Sequence, residues 1–447
     1  MQRKTHGRFL AGLAAFLAVA LCGTVAAAQG IVRDAEIERT LKLIMQPVQK
    51  AAGVGGRKVD IFLVNDRRLN AFVAGGNNIF INTGLLAKMK RQDMLQAVLA
   101  HEIAHLTQGH RAQRAAELAS ARTAAGIGMV VGVAAAAAGG GAGVAAGVQE
   151  SLRRSLFAFS RAQEAAADQA SARYMRAAGI NPQAAVDVLK IFRGQEALTV
   201  GRQDPYVRTH PLTRDRILRM EAEAARFKGP ARSDRTANYY YGRLVAKLNG
   251  FLGSPSRTLR RLKNSDRGEI ATMTRAIAYH RLPKPKRAAA EAARLVSLRP
   301  NDPYYHELRG QILLESGDAR GAVASFRRAA RLAPKEPLIL AWLGQALLAN
   351  GSGGSVSEAL RVLKSAYGRD PRDPRLLRTL AVAYARSNNP GQASVVTAER
   401  YALQGNFRQA EIHATRAQRL LPRGTSGWLK AGDVLGVARK VNARKKR

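Results

Sequence analysis

This 447-residue chain contains one cysteine, Cys22, and its place decides what it can do. Arg3, Lys4 and Arg8 precede an apolar run from Phe9 to Val25, and Ala26-Ala27-Ala28 follows as an A-x-A cleavage site. Residues 1–28 therefore read as a cleaved secretory signal. Leu21 stands where a lipoprotein would need a small residue before its cysteine, so Cys22 leaves with the signal. The mature chain then has no thiol, which excludes disulfides, cysteine nucleophiles and cysteine metal ligands. Acidic residues are also scarce, 32 against 72 Lys and Arg, giving a net charge of +40. Removing the three basic residues of the leader leaves +37. Such an excess suits an anionic neighbour or a solvated arginine-rich surface. Aromatics are only 6% and no nucleic-acid motif frame is present, which favours protein partners and peripheral contact with a membrane surface, with no nucleic acid.

What is present centres on His101-Glu102-Ile103-Ala104-His105, an HExxH pattern. On a helix, positions four apart share a face, so both histidines can close on one metal ion with Glu102 placed to accept a proton beside it. Met94, Leu95, Val98, Leu99 and Leu106 give that helix an apolar face, with Asp93, Gln96, Thr107 and Gln108 opposite. A metal offsets the cost of burying the histidines and Glu102 on the apolar side.

Upstream, 34–52 reads as an amphipathic helix, and Lys58–Val64, Leu69–Val73 and Ile79–Asn82 read as strands, with a helix from about Leu85. Residues 123–148 carry no charge and are mostly Ala, Gly and Val. Their glycines weaken a membrane span. A single span would also put the third candidate ligand across a membrane from His101, so a flap or a surface-touching segment is expected instead. That ligand lies in the next helix, Ser155–Ala178, where Glu164 and Asp168 sit four apart on one face. A zinc with two histidines needs a third protein ligand, which Glu164 can supply, and Asp168 can hold a ligand histidine by its other ring nitrogen. A loop histidine, His210, precedes Pro211.

From about residue 268 the chain repeats. In the tetratricopeptide frame of about 34 residues, Gly310, Ala322, Phe326, Ala329 and Pro334 fall on marker positions, and Pro300 closes the frame before. Leu343, Gly344, Leu347, Ala359, Leu363, Ala366 and Pro371 mark the next, after an insertion at Gly351–Gly354. Residues 374–422 hold about three more helices. Such pairs must stack into a solenoid with a concave, partner-binding surface.

Four stretches in order, NAFVAGGNNIFINTGLL (70–86), HEIAHLTQGH, SRAQEAAAD and THPLTRDRI, resemble the gluzincin metallopeptidases. Within them they are most like a periplasmic branch, the β-barrel assembly-enhancing proteases, which join such a domain to tetratricopeptide repeats. The resemblance implies one zinc per chain, with His101, His105 and Glu164 as ligands, Glu102 as general base and Asp168 as the supporting acid. His210 and Arg216 would lie near the metal, His210 either capping the resting ion or, with Arg216, stabilising an oxyanion. His110 is expected off the ligand face. A metzincin would need Gly at 108 and His at 111, where this chain has Gln108 and Arg111.

The resemblance also implies unfolded or stalled outer-membrane proteins as substrates, and their assembly machinery as partner. The expected layout is a signal peptide (1–28), an α+β zincin-like metalloprotease domain, mostly helical with a small sheet (29–228), a linker with connecting helices (229–267), and an all-α tetratricopeptide repeat solenoid (268–447). The activity expected is a periplasmic zinc endopeptidase, with an extended substrate pairing to Ile79–Asn82. The competing expectation is a repeat-based chaperone or scaffold whose metal site is silent or latched.

Overall fold

The computed structural model describes residues 30–445 apart from 56–58, 75–76, 111–112, 114–159, 229, 231–233, 264 and 353. The expected signal peptide, the uncharged 123–148 segment and the first turn of the helix expected from Ser155 lie outside the described residues.

Helix α1 (Ala35–Ala51) begins where Asp34 accepts the Ile37 N–H at 3.0 Å, and it buries Ile37, Leu41, Ile44 and Val48 along one face. Four short strands follow the order β1-β2-β4-β3 (Ile31–Val32, Ile61–Val64, Asn78–Asn82, Ala71–Ala74). β2 and β4 run parallel, and the two outer strands pair antiparallel. Alternation sends Ile61, Leu63, Ile79, Ile81 and Ala71 into the core shared with α1. β4 is thus flanked on both sides. Its backbone is already taken, so the expected pairing of a substrate with Ile79–Asn82 is corrected: among the described residues, the open edge on that side is β3.

Helix α2 (Thr83–Lys88) turns the chain into α3 (Gln92–Thr107), which carries HExxH. The polar face expected on α3 survives only at its ends, where Asp93, Thr107 and the adjoining Gln108 are half-exposed, while Gln96 and the rest of the helix from Met94 to His105 are buried all round. Gln96 tolerates this by donating to the Ile44 carbonyl at 3.1 Å. Helix α4 (Arg161–Ala177) starts with a capping box between Ser160 and Gln163. It packs on α3 through Ala104, Ala167 and Ala170, whose small side chains let the two helices approach closely. Helices α5 (Gln183–Ile191), α6 (Pro205–Thr209) and α7 (Arg214–Ala225) close this layer.

From Glu269 the helices run in antiparallel pairs, the expected repeat architecture: Glu269–Arg281 with Pro285–Leu298, Pro303–Glu315 with Ala319–Leu332, Pro337–Asn350 with Ser355–Arg369, and Pro374–Arg386 with Pro390–Leu403. Phe407–Leu420 and a long last helix, Ser426–Lys445, complete the stack. The glycine markers have a steric reason. A Cβ on Gly310 would stand 2.9 Å from the Phe326 ring, and one on Gly344 2.4 Å from Leu363.

Helix α8 (Arg235–Leu252) joins the two parts as a shared element. Tyr241, Leu244 and Leu248 enter the core of α1 and α3, while Ala246 packs with Met273 and Ile277 of the repeats. Arg243, fully buried, pairs with Glu36 of α1 and Asp302 of the repeats, and Lys247 reaches Asp34 at 2.7 Å. Burial works against both cations, yet the facing carboxylates hold their pKa values above the ordinary ones. Removing one partner leaves buried charge uncompensated. Arg243→Ala should therefore cost about 3–5 kcal/mol of stability, measured by denaturant unfolding of the whole chain. A loss near zero would show that the junction does not hold the two parts together.

Candidate metal centre

Three local devices deliver the four side chains of the centre. One turn of α3 carries His101 and His105, the first turn of α4 carries Glu164, and His210 follows the end of α6. All four are buried, and one ligand atom from each can be chosen so that all lie within 4.8 Å of one another. His101 Nε2 stands 3.1 Å from His105 Nε2 and 3.3 Å from His210 Nδ1. Glu164 Oε1 is 3.3 Å from His105 Nε2 and 3.0 Å from His210 Nδ1. Ligands held tetrahedrally at about 2.0–2.1 Å from zinc stand about 3.3 Å from one another, so these separations fit that ion.

Charge supports the fit. Glu164 and Asp168 meet Arg216, and Glu102 Oε1 lies 3.5 Å from His210 Nε2, so carboxylate oxygens stand beside the histidine donors in a buried space, a setting that suits a divalent ion. Burial opposes a charged His101, but Glu164 and Asp168 outweigh it and push its pKa up to about 10. His105, one turn on, is pushed down to about 3, chiefly by burial. Burial also raises Glu102. It works against ionised Glu164 too, yet His210, Arg216 and His101 hold that carboxyl well below the usual range. Among the described residues Glu102 Oε1 has no hydrogen-bond partner, so it keeps acceptor capacity beside the donor cluster.

A second ring of residues fixes the first. Asp168 Oδ1 lies 3.1 Å from His101 Nδ1, within reach of the ring nitrogen that faces away from the donor cluster. Arg216 clamps Asp168 with two hydrogen bonds of 2.7 and 2.9 Å. Its third nitrogen meets Glu164 at 2.7 Å and the Pro211 carbonyl at 2.9 Å. All three nitrogens of that guanidinium thus meet the carboxylates or backbone around the donor set.

Two contributors escape the sequence reading. His110 Nδ1 lies 3.0 Å from His105 Nδ1, a contact that can orient that ring. The Tyr206 ring packs 4.6 Å from the His210 ring. Its sequence signal was the spacing of four residues across a Pro-started helix. Residues that orient a ligand histidine are worth about 10–100-fold in metal affinity. His110→Ala should weaken zinc binding by that factor in chelator competition; an unchanged affinity would remove His110 from the site.

The model of "Peptidase family M48" matches residues 33–224, which span all four ligand candidates. Those residues form a family M48 peptidase domain. The family is zinc-dependent, and the chain is a zinc metallopeptidase. The M48 domain and the repeats together align with longer relatives. The β-barrel assembly-enhancing protease of Escherichia coli (strain K12) is 26% identical over 358 residues, covering 78% of this chain and 72% of that protein. The Yersinia pestis protein of the same name is 24% identical over the same shares. Among solved structures, MamA from Desulfovibrio magneticus RS-1 covers 37% of this chain and 93% of its own, at 20% identity and a TM-score of 0.33.

Proposed function

We propose that this chain is a periplasmic zinc endopeptidase that degrades misfolded or stalled outer-membrane proteins and assists their assembly, with the repeats recruiting substrate or the assembly machinery. The observation that carries the reading is the buried donor set with Glu102 beside it, in a chain aligned over most of its length with β-barrel assembly-enhancing proteases. His101, His105 and Glu164 would hold the metal. Zinc there supplies Lewis-acid polarisation of the scissile carbonyl and of a water. Glu102 accepts the proton of the attacking water and passes it to the leaving amine. Asp168, Arg216 and His110 keep His101, His105 and Glu164 aimed at the metal position. A peptide entering as an added strand on β3 would be cut only where it is already extended and unpaired, which spares folded proteins.

His210 Nδ1 occupies the fourth corner of the donor set, which supports a resting state closed by this side chain. The same observation favours the second reading, a chaperone or scaffold with a latched site. Incubating the full chain with an unfolded and a folded β-barrel protein separates the two. Cleavage of the unfolded form alone is expected, and binding without any cleavage would favour the scaffold. Glu164→Ala should lose its zinc, since it removes a carboxylate ligand. Full occupancy at micromolar free zinc would take Glu164 out of the ligand set.

A further inference from the structure

On the sheet face turned away from the core, three phenylalanine rings stand in a row. The register sets Phe62 of β2 beside Phe80 of β4, and Phe80 beside Phe72 of β3. Both gaps are 5.3 Å between ring centroids, with the planes inclined by 24° and 13°. All three rings are half-buried, and none belongs to a hydrophobic core formed by the described residues. A sheet covered on one face ordinarily turns polar residues to the other, so a row of stacked rings there is not what folding alone demands.

The row ends at the edge. Among the described residues β3 pairs with β4 alone. Its entry is tied to the metal centre, because Leu69 accepts the Tyr206 N–H at 3.1 Å and Tyr206 packs on His210. From this geometry we infer that Phe72 is a specificity-determining residue, selecting substrate strands that carry an aromatic side chain at the position opposite it. The inference rests on the peptidase reading and on β3 as the receiving edge. A strand added to β3 lies about 4.8 Å away and presents the side chain facing Phe72 on the same side of the sheet. An aromatic there becomes the fourth ring of the row, at nearly the spacing the other three keep. Strands of transmembrane β-barrels alternate outward apolar residues and carry aromatics near both ends, so such a strand left unassembled has the chemistry this edge would take.

The test uses the zinc-loaded full chain and a set of extended peptides in which each position in turn is Phe or Ala. Binding is read by fluorescence polarisation and cleavage by kcat and KM. One position should favour Phe by roughly three- to tenfold in Kd and KM with kcat unchanged, as an aromatic pair supplies. Phe72→Ala should abolish that preference, while Phe72→Tyr and Phe62→Ala, the latter two strands inward, should keep it. Phe72→Leu, which keeps bulk and loses the ring, carries the same expectation should the alanine variant not fold. The assignment is overturned by a wild type without positional preference, by a preference that persists without the ring, or by a Phe72 variant that weakens all peptides equally. Cleavage without preference removes Phe72 alone. Preference in binding without any cleavage leaves Phe72 in place and removes the peptidase reading.

Discussion

Glu102→Gln is expected to give a folded, zinc-bearing chain that no longer cuts an unfolded protein. The amide keeps the shape of the carboxylate but cannot take the proton of the attacking water. Proton transfer by a positioned side chain is worth about 10²–10⁴-fold, so turnover should fall at least that far. Glu102 is almost fully buried, Oε1 lacks a hydrogen-bond partner among the described residues, and its contact with His210 Nε2 is a long 3.5 Å that the amide oxygen can keep. Zinc content and the unfolding curve should therefore stay close to wild type. Undiminished cleavage would remove Glu102 from the chemistry. Loss of zinc along with activity would mean that Glu102 helps to hold the metal.

The second large effect is expected in the opposite direction. With His210 Nδ1 3.0 Å from Glu164 Oε1 and 3.3 Å from His101 Nε2, four protein donors surround one point and leave no corner for water or substrate. On the proposed latch, activity requires the loop at His210 to leave, and the basal rate is scaled by the fraction of molecules in which it has left. An open fraction of about 1–10% would make His210→Ala faster by about 10–100-fold on a small unfolded substrate. The zinc content should stay near one per chain, because three ligands remain. A His210 that instead stabilises the oxyanion gives the reverse, a fall of about 10²-fold or more. Kinetics of the two proteins on one substrate decide between the roles.

What could be read from the sequence follows the range of the contacts involved. His101, Glu102 and His105 lie within one helical turn, and Glu164 and Asp168 within another, so periodicity alone assembles each half of the site. Bringing the halves together takes the alanine contact between α3 and α4, which has no sequence signal of its own. His110 was hidden for a local reason. A continuing helix would carry it off the ligand face, but α3 ends at Thr107, and Gly109, at φ +68°, turns the chain so that His110 returns to His105. The strand order was hidden for a non-local one. β3 and β4 are neighbours in sequence, yet the partner on the far side of β4 is β2, from before both. Alternation identifies strands without saying which of them is central.

The connecting stretch carries a similar lesson. Composition suggests a break near Phe227 and a separable domain before it. The structure places Tyr241, Leu244 and Leu248 in that domain's core, and the Tyr241 hydroxyl donates to the Met89 carbonyl at 3.1 Å. A chain ended at Phe227 would lose those contacts, so dividing the two parts has to keep α8 with the metal centre. The repeats, by contrast, were legible in detail because each marker reports a contact between helices adjacent in sequence, as Gly310 does with Phe326.

The central claim is that one buried zinc makes this chain a peptidase. The most direct measurement is cleavage of an unfolded protein such as casein by the purified full chain, before and after its metal is stripped and then restored. Cleavage should disappear with the metal and return with one equivalent of zinc. Cleavage that survives metal removal, or a zinc-loaded chain in which neither wild type nor His210→Ala cuts, would contradict the account.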